Sequence, residues 1–418
     1  MNRYFSLLFF FLFACSPNNN DEFEVYELYT PIVMTMDEVR ASIAIQEPQE
    51  IKVTGKIYVK DNLLLVGDEK RGIHIFDNSQ PAFPQKIAFL AIPGNHDMEM
   101  RGNYLYADSY KDLLVFDLSD LTSIDIRSRE QEVFPYNIEY PEAGDLPQEI
   151  QWDSIDNNTI VVGWMRSKEI RKKQDYRDDF FLVDALADSA SRESTGQGGS
   201  LARFKIVSHY LYALDASNLK VFDISDALNP TKVSDKYVTW AAETLFLSGI
   251  HMFVGSRDGV YIYDVSSPQN PEYVSEFTHA TMCDPVVVDE HTAYVTLRGG
   301  NLCGNPWGDG PTLDSRLDIL DVSDIKNPKL VANYTLENPY GLGVKGDLLF
   351  ICDGTAGLKI YNKSNINDLK LLSTHSEMEA YDVIPLESHL ILIAKGGVFQ
   401  FNYVDNNQIS LMSKIVLN

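Results

Sequence analysis

An all-β fold is predicted for this chain of 418 residues, a single β-propeller of four-stranded blades. Three observations predict it. A short strand-ending motif recurs seven times, its basal spacing is near 40 residues, and each copy sits among short stretches of β-type patterning. Four strands in about 40 residues is the period of a propeller blade.

The motif is an apolar strand closing on an aromatic residue or Leu, then Asp or Asn, then usually Ser. It reads IFDNS at 75–79, VFDLSD at 115–120, VFDISD at 221–226, IYDVSS at 262–267, ILDVSD at 319–324, IYNKSN at 360–365 and, in worn form, QFNYVD at 400–405. Its anchors are Asp77, Asp117, Asp223, Asp264, Asp321, Asn362 and Asn402, spaced 40, 106, 41, 57, 41 and 40 residues apart. A carboxylate or amide there bonds nearby backbone N–H groups and sets the turn. Asn229-Pro230, Asn270-Pro271 and Asn327-Pro328 follow three of the anchors, and Pro cannot continue a central strand. The anchors are therefore read as structural; equivalent groups spread around a ring do not share one site.

The unit at 243–279 shows the pattern: ETLFLSG, HMFVGSRDG and VYIYDVSS, then the turn PQNP, then EYVSEFTH. Alternating or continuous apolar runs bounded by Gly, Asn, Asp and Pro are strand signals. Two segments break the period. Residues 136–200 hold one clear strand, TIVVGWM at 159–165, and a polar run, LADSASRESTGQGGS. Treated as an excursion from the second blade, this segment leaves seven blades. The alternative is a worn eighth blade anchored by FFLVD at 180–184. Residues 297–316 form a second insertion, leaving its unit between the second and third strands. Long loops on a rigid scaffold commonly carry binding.

The units LKVFDISDALNP, VYIYDVSSPQNP and LDILDVSDIKNP resemble the LVIVD repeat of extracytoplasmic bacterial and archaeal proteins. Residues 55–97 are similar to the first repeats of Bacteroidota lipoproteins of that family. The resemblance spans about residues 50–418 apart from one insertion, departs from the pattern at Asn362 and Asn402, and implies a β-propeller without implying an activity.

The start of the chain, MNRYFSLLFFFLFAC, has one Arg and then an apolar run from Tyr4 to Ala14. Eleven helical residues span about 16 Å, too short to cross a bilayer, so residues 1–14 are read as a signal peptide. Leu12-Phe13-Ala14-Cys15 resembles a bacterial lipobox, which makes Cys15 the lipidation site and the membrane a partner through lipid alone. Ser16 after the cysteine resembles lipoproteins sorted to the outer membrane, and Asp21-Glu22 resembles a surface-export signal. Residues 15–45 are assigned to the lipidated cysteine and a tether, and 46–418 to the propeller with its insertions at 136–200 and 297–316.

Lys plus Arg total 35 against 60 Asp plus Glu, a net charge of −25. A chain this acidic repels phosphate backbones, which argues against nucleic-acid binding. The dense basic cluster Arg166, Lys168, Arg171, Lys172 and Lys173 is read as a solvated arm, with partner docking as the alternative. Cys283 and Cys303 flank the second insertion, and three readings stay open: a disulfide between them, which an oxidising envelope permits, a metal site formed by His279, Cys283, Asp284 and His291, or free thiols. Cys352 in LLFICDG is expected to be buried.

First strands line a propeller channel. Counting back 20 or 21 residues from each anchor, with the sixth unit corrected for its insertion, gives a channel-mouth ring of Lys56, Asp97, Arg203, Glu243, Asp284, Gly341 and Asp382. Several carboxylate oxygens suit Ca²⁺; the other reading is a water-filled channel with internal ion pairs. No cofactor motif accompanies the ring. Three functions follow: a monomeric, lipid-anchored envelope module binding a protein or glycan partner, a scaffold without a ligand, or a polysaccharide hydrolase or lyase with an acidic funnel. A glycosidase needs two carboxylates roughly 5–10 Å apart, which Asp97, Glu243, Asp284 and Asp382 are placed to supply, but no nucleophile elbow is present. Binding or scaffolding is therefore preferred over catalysis.

Overall fold

The computed structural model describes residues 23–141, 146–152, 155, 158–172, 200–278, 285–299, 314–405 and 408–417. Among these, seven consecutive sheets of antiparallel strands form the blades of a β-propeller: Thr54–Ala91, Met98–Glu130, Phe204–Tyr237, Ala242–Thr278, Val286–Thr335, Leu342–His375 and Ala380–Val416, numbered blades 1 to 7. Within each, four strands pair in chain order. FFLVD at 180–184, the alternative eighth anchor, lies outside the described residues. The chain divides into two compact units, Met34–Ile138 with Ala187–Asn418, which holds the blades, and Met1–Val33 with Glu139–Leu186.

First strands of successive blades touch one another, which places them innermost. The apolar alternation of each sheet packs against its neighbours in clusters that straddle two blades. Tyr106, Leu113 and Val115 of blade 2 meet Phe204, Leu211 and Phe222 of blade 3. Phe253, Val260 and Ile262 of blade 4 meet Val286, Val295 and Leu320 of blade 5.

The anchors behave as their chemistry requires. Each Asp Oδ1 of Asp77, Asp117, Asp223, Asp264 and Asp321 accepts from the backbone N–H two residues on, at 2.7–2.9 Å, and Asn362 does the same at 3.0 Å. The Ser backbone and hydroxyl hold the five carboxyls below their ordinary range. Asn402 differs. It lies inside the long strand Gly397–Asp405 opposite Ser410, so no such turn forms there. A few residues past the anchor, the outer strand of every blade carries a bulge, at Ile87, Arg127, Val233, Val274, Val331, Leu372 and Met412. A bulge adds twist and blunts an exposed edge.

The ring closes between blades 7 and 1 without sharing a strand. Ile384, Ile391 and Ile393 pack on Ile57, Leu64 and Val66, and Ile51 bridges in parallel to Leu417. Buried in the seam, Asn78 Nδ2 donates to Gln400 Oε1 at 3.0 Å and Gln400 Nε2 donates to Asn78 Oδ1 at 2.8 Å. In most other blades these positions are apolar: Leu118, Ile224, Val265 and Val322 match Asn78, where blades 6 and 7 have Lys363 and Tyr403, while Ile75, Val115, Val221, Ile262, Ile319 and Ile360 match Gln400.

Residues 23–45, assigned above to the tether, are ordered structure. Phe23–Thr35 is a strand, Met36–Ser42 a helix and Ala44–Gln46 a fifth strand on blade 1. The alternation of FEVYELY suits a strand. Thr35 and Glu38 form a capping box, Glu38 N–H donating to Thr35 Oγ1 at 3.2 Å and Thr35 N–H to Glu38 Oε2 at 2.8 Å. Arg40 then grips Asp112 of blade 2 with two hydrogen bonds, at 2.8 and 3.0 Å. In the smaller unit Phe23–Thr35 is the middle strand between Gln148–Ile150 and Thr159–Lys172. The expected strand at 159–165 therefore exists and continues through the basic cluster. Arg166 pairs with Glu27, and Arg171 pairs with Glu24 at 2.7 Å and Glu149 at 2.9 Å. The cluster's two arginines are strand residues paired with acids on the neighbouring strand elements rather than part of a solvated arm, while Lys168 is exposed. Lys173 lies outside the described residues.

Two predictions follow from these contacts. Gln400→Leu strands a buried amide on Asn78 and lowers stability by about 1–3 kcal/mol, whereas the pair Asn78→Val with Gln400→Ile, which copies the apolar seams, recovers most of that loss in urea unfolding. Because the anchor carboxyls titrate below the ordinary carboxylate range, their stabilisation is complete above that range and is lost as pH falls through their folded values. Replacing Asp223, Asp264 and Asp321 together by Asn keeps the turn, as Asn362 does, and flattens the fall in urea midpoint between pH 7 and pH 3.

Candidate functional site

In an antiparallel four-stranded blade, the entry link, the turn between strands two and three, and the exit link share one face. The turns after strands one and three, where the anchors sit, share the other. Both insertions therefore open on the entry face. The second leaves between Leu297 and Arg316, the end of the second strand and the start of the third; the first leaves the ring after Glu130 and re-enters at Ser200.

The predicted ring is at the mouth of the innermost strands, with two corrections of register. Ile57, Met98, Phe204, Leu245, Val286, Leu342 and Val383 all stand opposite equivalent second-strand residues. The positions just before them are Lys56, Asp97, Arg203, Thr244, Pro285, Gly341 and Asp382. Thr244 thus replaces Glu243, since it stands 20 residues before its anchor, as Asp97, Arg203 and Asp382 do, and Glu243 is the bulged residue next to it. Pro285 replaces Asp284, which lies outside the described residues with Cys15, Cys283 and Cys303.

The ring is not an open acidic funnel. Lys56 Nζ lies 2.7 Å from Asp97 Oδ2, and both residues are buried. The same oxygen accepts Arg203 N–H at 2.7 Å and Phe204 N–H at 2.6 Å, and Oδ1 accepts Met98 N–H at 2.7 Å. Burial pushes the Asp97 carboxyl upward against the pull of Lys56. Asp382 is equally buried and accepts Val383 N–H at 2.9 Å. Gly341 is glycine because a Cβ there would stand 2.2 Å from Asp382 Oδ1. Glu243 pairs with Arg257 at 2.9 Å. Across the channel, Leu342 N–H of blade 6 donates to Ser200 Oγ at 2.9 Å, although Ser200 belongs to the entry of blade 3. Ser200, Leu201 and Ala202 are all buried, which places this segment inside the mouth of the channel. Asp97, Glu243 and Asp382 therefore offer no solvent-facing carboxylate pair of the kind a glycosidase uses. Among the described residues, no group of three or more His, Cys, Asp or Glu side chains is placed to hold a metal.

A second set of polar residues escaped the sequence reading. Three residues before the anchors, His74, Lys220, Tyr261, Asp318 and Lys359 stand where an apolar strand residue is the usual choice. Each meets a partner near the turn between strands two and three. His74 Nε2 lies 3.2 Å from Asp68, Lys220 Nζ 2.9 Å from Asp215, Lys359 Nζ 2.6 Å from Asp353, and Arg316 Nε 2.7 Å from Asp318, while Tyr261 OH donates to Asp258 at 3.1 Å. Asp68 and Asp353 also receive the entry link: Val53 and Lys52 N–H reach Asp68 at 3.0 and 3.1 Å, and Asn338 N–H reaches Asp353 at 2.7 Å. Burial opposes the charge on Asp68, but His74 and these N–H groups outweigh it and hold its carboxyl low. The signal was a periodic polar residue within an apolar strand.

The entry face carries aromatic, cationic and acidic groups, among them the exposed Glu337 and Glu377 in its links. Trp240, in the link to blade 4, is half exposed. Arg298 lies over the Tyr340 ring, 4.1 Å from its centre, and Tyr340 meets Tyr381 edge to face at 5.3 Å.

Comparison with known proteins agrees with this architecture. The LVIVD repeat matches residues 95–129, which span blade 2, and 313–336, which span the outer strands of blade 5. No curated protein matches the sequence. A Lactobacillus plantarum protein of known structure is similar with a TM-score of 0.54 at 11% identity, over 88% of this chain and 97% of that one. The Pseudomonas aeruginosa periplasmic gluconolactonase PpgL is similar at 0.53 and 9% identity, over 90% and 97%. Saccharomyces cerevisiae Sqt1 gives 0.51 at 10%, over 90% and 88%. The chain is thus an all-β propeller carrying LVIVD repeats.

Lys56→Met leaves Asp97 buried without its cation and is expected to cost about 3–5 kcal/mol in urea unfolding. A loss below about 1 kcal/mol would mean that Asp97 is hydrated and the channel open.

Proposed function

We propose that this protein is a lipid-anchored binding module of the bacterial cell envelope that engages a protein or glycan partner through its entry face. The observation that carries the reading is the division of the propeller: Ser200–Ala202 lie buried at the channel mouth and its charges are paired internally, while the points at which both insertions leave the ring and the exposed Trp240 lie on one face. Tryptophan is enriched in interface hot spots. The leader ending in Cys15, followed by Ser16 and Asp21-Glu22, supports lipidation, outer-membrane placement and a Bacteroidota-type surface lipoprotein. The same reading makes the module a monomer that needs no cofactor; Ca²⁺ has no support from the ring, whose Asp97 is committed to Lys56 and backbone. Among the described residues, no helix is long and apolar enough to cross a membrane.

Two measurements test this. Metabolic labelling with an alkyne fatty acid should mark the chain and lose the mark in Cys15→Ser. A photo-crosslinking residue at Trp240 should give a discrete adduct on cells, and one at Ile250, on the anchor face, should give none. Equal yields at both positions would contradict the assignment of the binding face.

A further inference from the structure

Two blades lack a polar residue three before the anchor, blade 2 with Leu114 and blade 7 with Phe399, and at blade 7 a cavity opens. In five blades the residue three before the anchor is polar and is tied to a partner near the turn between strands two and three. In blade 7 that residue is Phe399, and the turn carries Lys395. Phe399 and Phe401 lie side by side on one face of their strand, ring centres 6.3 Å apart and planes within 14°. A cavity of about 650 Å³ lies over them, within the range of about 300–1,000 Å³ typical of small-ligand sites. Met378 and Leu411 add apolar wall; Thr355 and Ser376 close the blade 6 side. That side is firmly held. Gly354 and Ala380 exchange backbone hydrogen bonds at 3.1 and 3.0 Å, and Gly357, at φ 89°, would drive a Cβ to within 2.2 Å of the His375 carbonyl oxygen.

The charges around the cavity are unequal in availability. Glu379 is taken by Lys395 at 2.8 Å and by the Tyr381 hydroxyl at 2.9 Å. Glu377 faces His375 at 3.5 Å. Lys414 lies over Phe399, its ammonium 4.8 Å from the ring centre. Among the described residues no carboxylate stands within ion-pair distance of it. The site thus combines a flat aromatic floor, an apolar wall and one cation without a carboxylate partner among the described residues, Lys414, with the exposed Glu377 also in its lining. A net charge of −25 repels polyanions over long range, so the complementary ligand is a small monoanion with an apolar body.

From the broken repeat and this lining we infer that the groove between blades 6 and 7 binds a small aromatic carboxylate. Its ring lies on Phe399 and Phe401 against Leu411, and its carboxylate meets Lys414. Places where a sequence breaks its own local rule are where function is found in proteins whose repeats otherwise agree. The groove opens on the entry face, since Thr355, Ser376–Glu379 and Lys395 lie in its links and turns, but its test reads binding of a small ligand and depends neither on lipidation nor on the partner.

The test uses residues 16–418, which include every described element, and titrates indole-3-propionate against its neutral analogue indole-3-propionamide by calorimetry and ligand-observed NMR. At about 0.3 kcal/mol per heavy atom, a ligand of this size binds with a dissociation constant on the order of a millimolar. The acid should bind once per chain, and the amide at least fivefold more weakly. Lys414→Glu should weaken the acid at least tenfold. Leu411→Glu, at an exposed position, should abolish binding of both. Neither variant should move the melting temperature by more than a few degrees, since both side chains are solvent-facing. Absence of acid binding at 10 mM, equal affinity for acid and amide, or an unchanged Lys414→Glu would each overturn the inference.

Discussion

A propeller stands or falls on closure. Seven sheets that pack face to face through apolar clusters gain nothing at the last interface unless blade 7 meets blade 1 in register. Most propeller surface of this kind is interchangeable, since any blade face fits its neighbour roughly as well. Here the final seam is marked. Asn78 and Gln400 exchange two hydrogen bonds where six other blades present Ile or Val in place of Gln400. A buried amide pair is satisfied only by its own partner, so the seam that must be found last is also the one with a distinct address. The bridge from Ile51 to Leu417 then ties the two ends of the ring.

The same logic runs through the interior. Lys56 and Asp97 link blades 1 and 2, and Asp97 reaches the entry of blade 3 through two backbone N–H groups. Ser200 links blade 3 to blade 6. These groups hold blades that share no strand. The consequence is a closed axis: the carboxylates that the register gathers are bound to structure, which leaves the entry face, with the groove beside Phe399 on it, as the surface we propose for recognition.

Much of this was legible beforehand because repetition carries information. Seven anchors at a period near 40 were enough for the blades, and the strand-end Asp turns formed at six of them. The residue before the first common strand pair lies 20 positions ahead of the anchor in blades 2, 3, 4 and 7 but 21 ahead in blades 1 and 6, a variation that spacing alone does not reveal and that puts Thr244 where Glu243 was expected. The segment 23–45 was misread because its strand pairs with residues more than 100 positions away, at Gln148–Ile150, and long-range pairing leaves no local signal. The capping box Thr35-Asp37-Glu38 was a local signal and was overlooked. The turn carboxylates Asp68, Asp215, Asp258 and Asp353 were hidden by their scatter in loops, although His74, Lys220 and Lys359 repeated at a fixed distance from the anchors.

The account rests on the channel mouth being closed and dry. Amide hydrogen exchange of the whole chain reads this at three groups, the N–H of Arg203 and Phe204, which donate to Asp97, and that of Leu342, which donates to Ser200. All three are expected to exchange only through global unfolding, with the same denaturant dependence as the central strands. Exchange of these amides in seconds, while neighbouring strand amides stay protected, would show an open, hydrated channel and contradict the account.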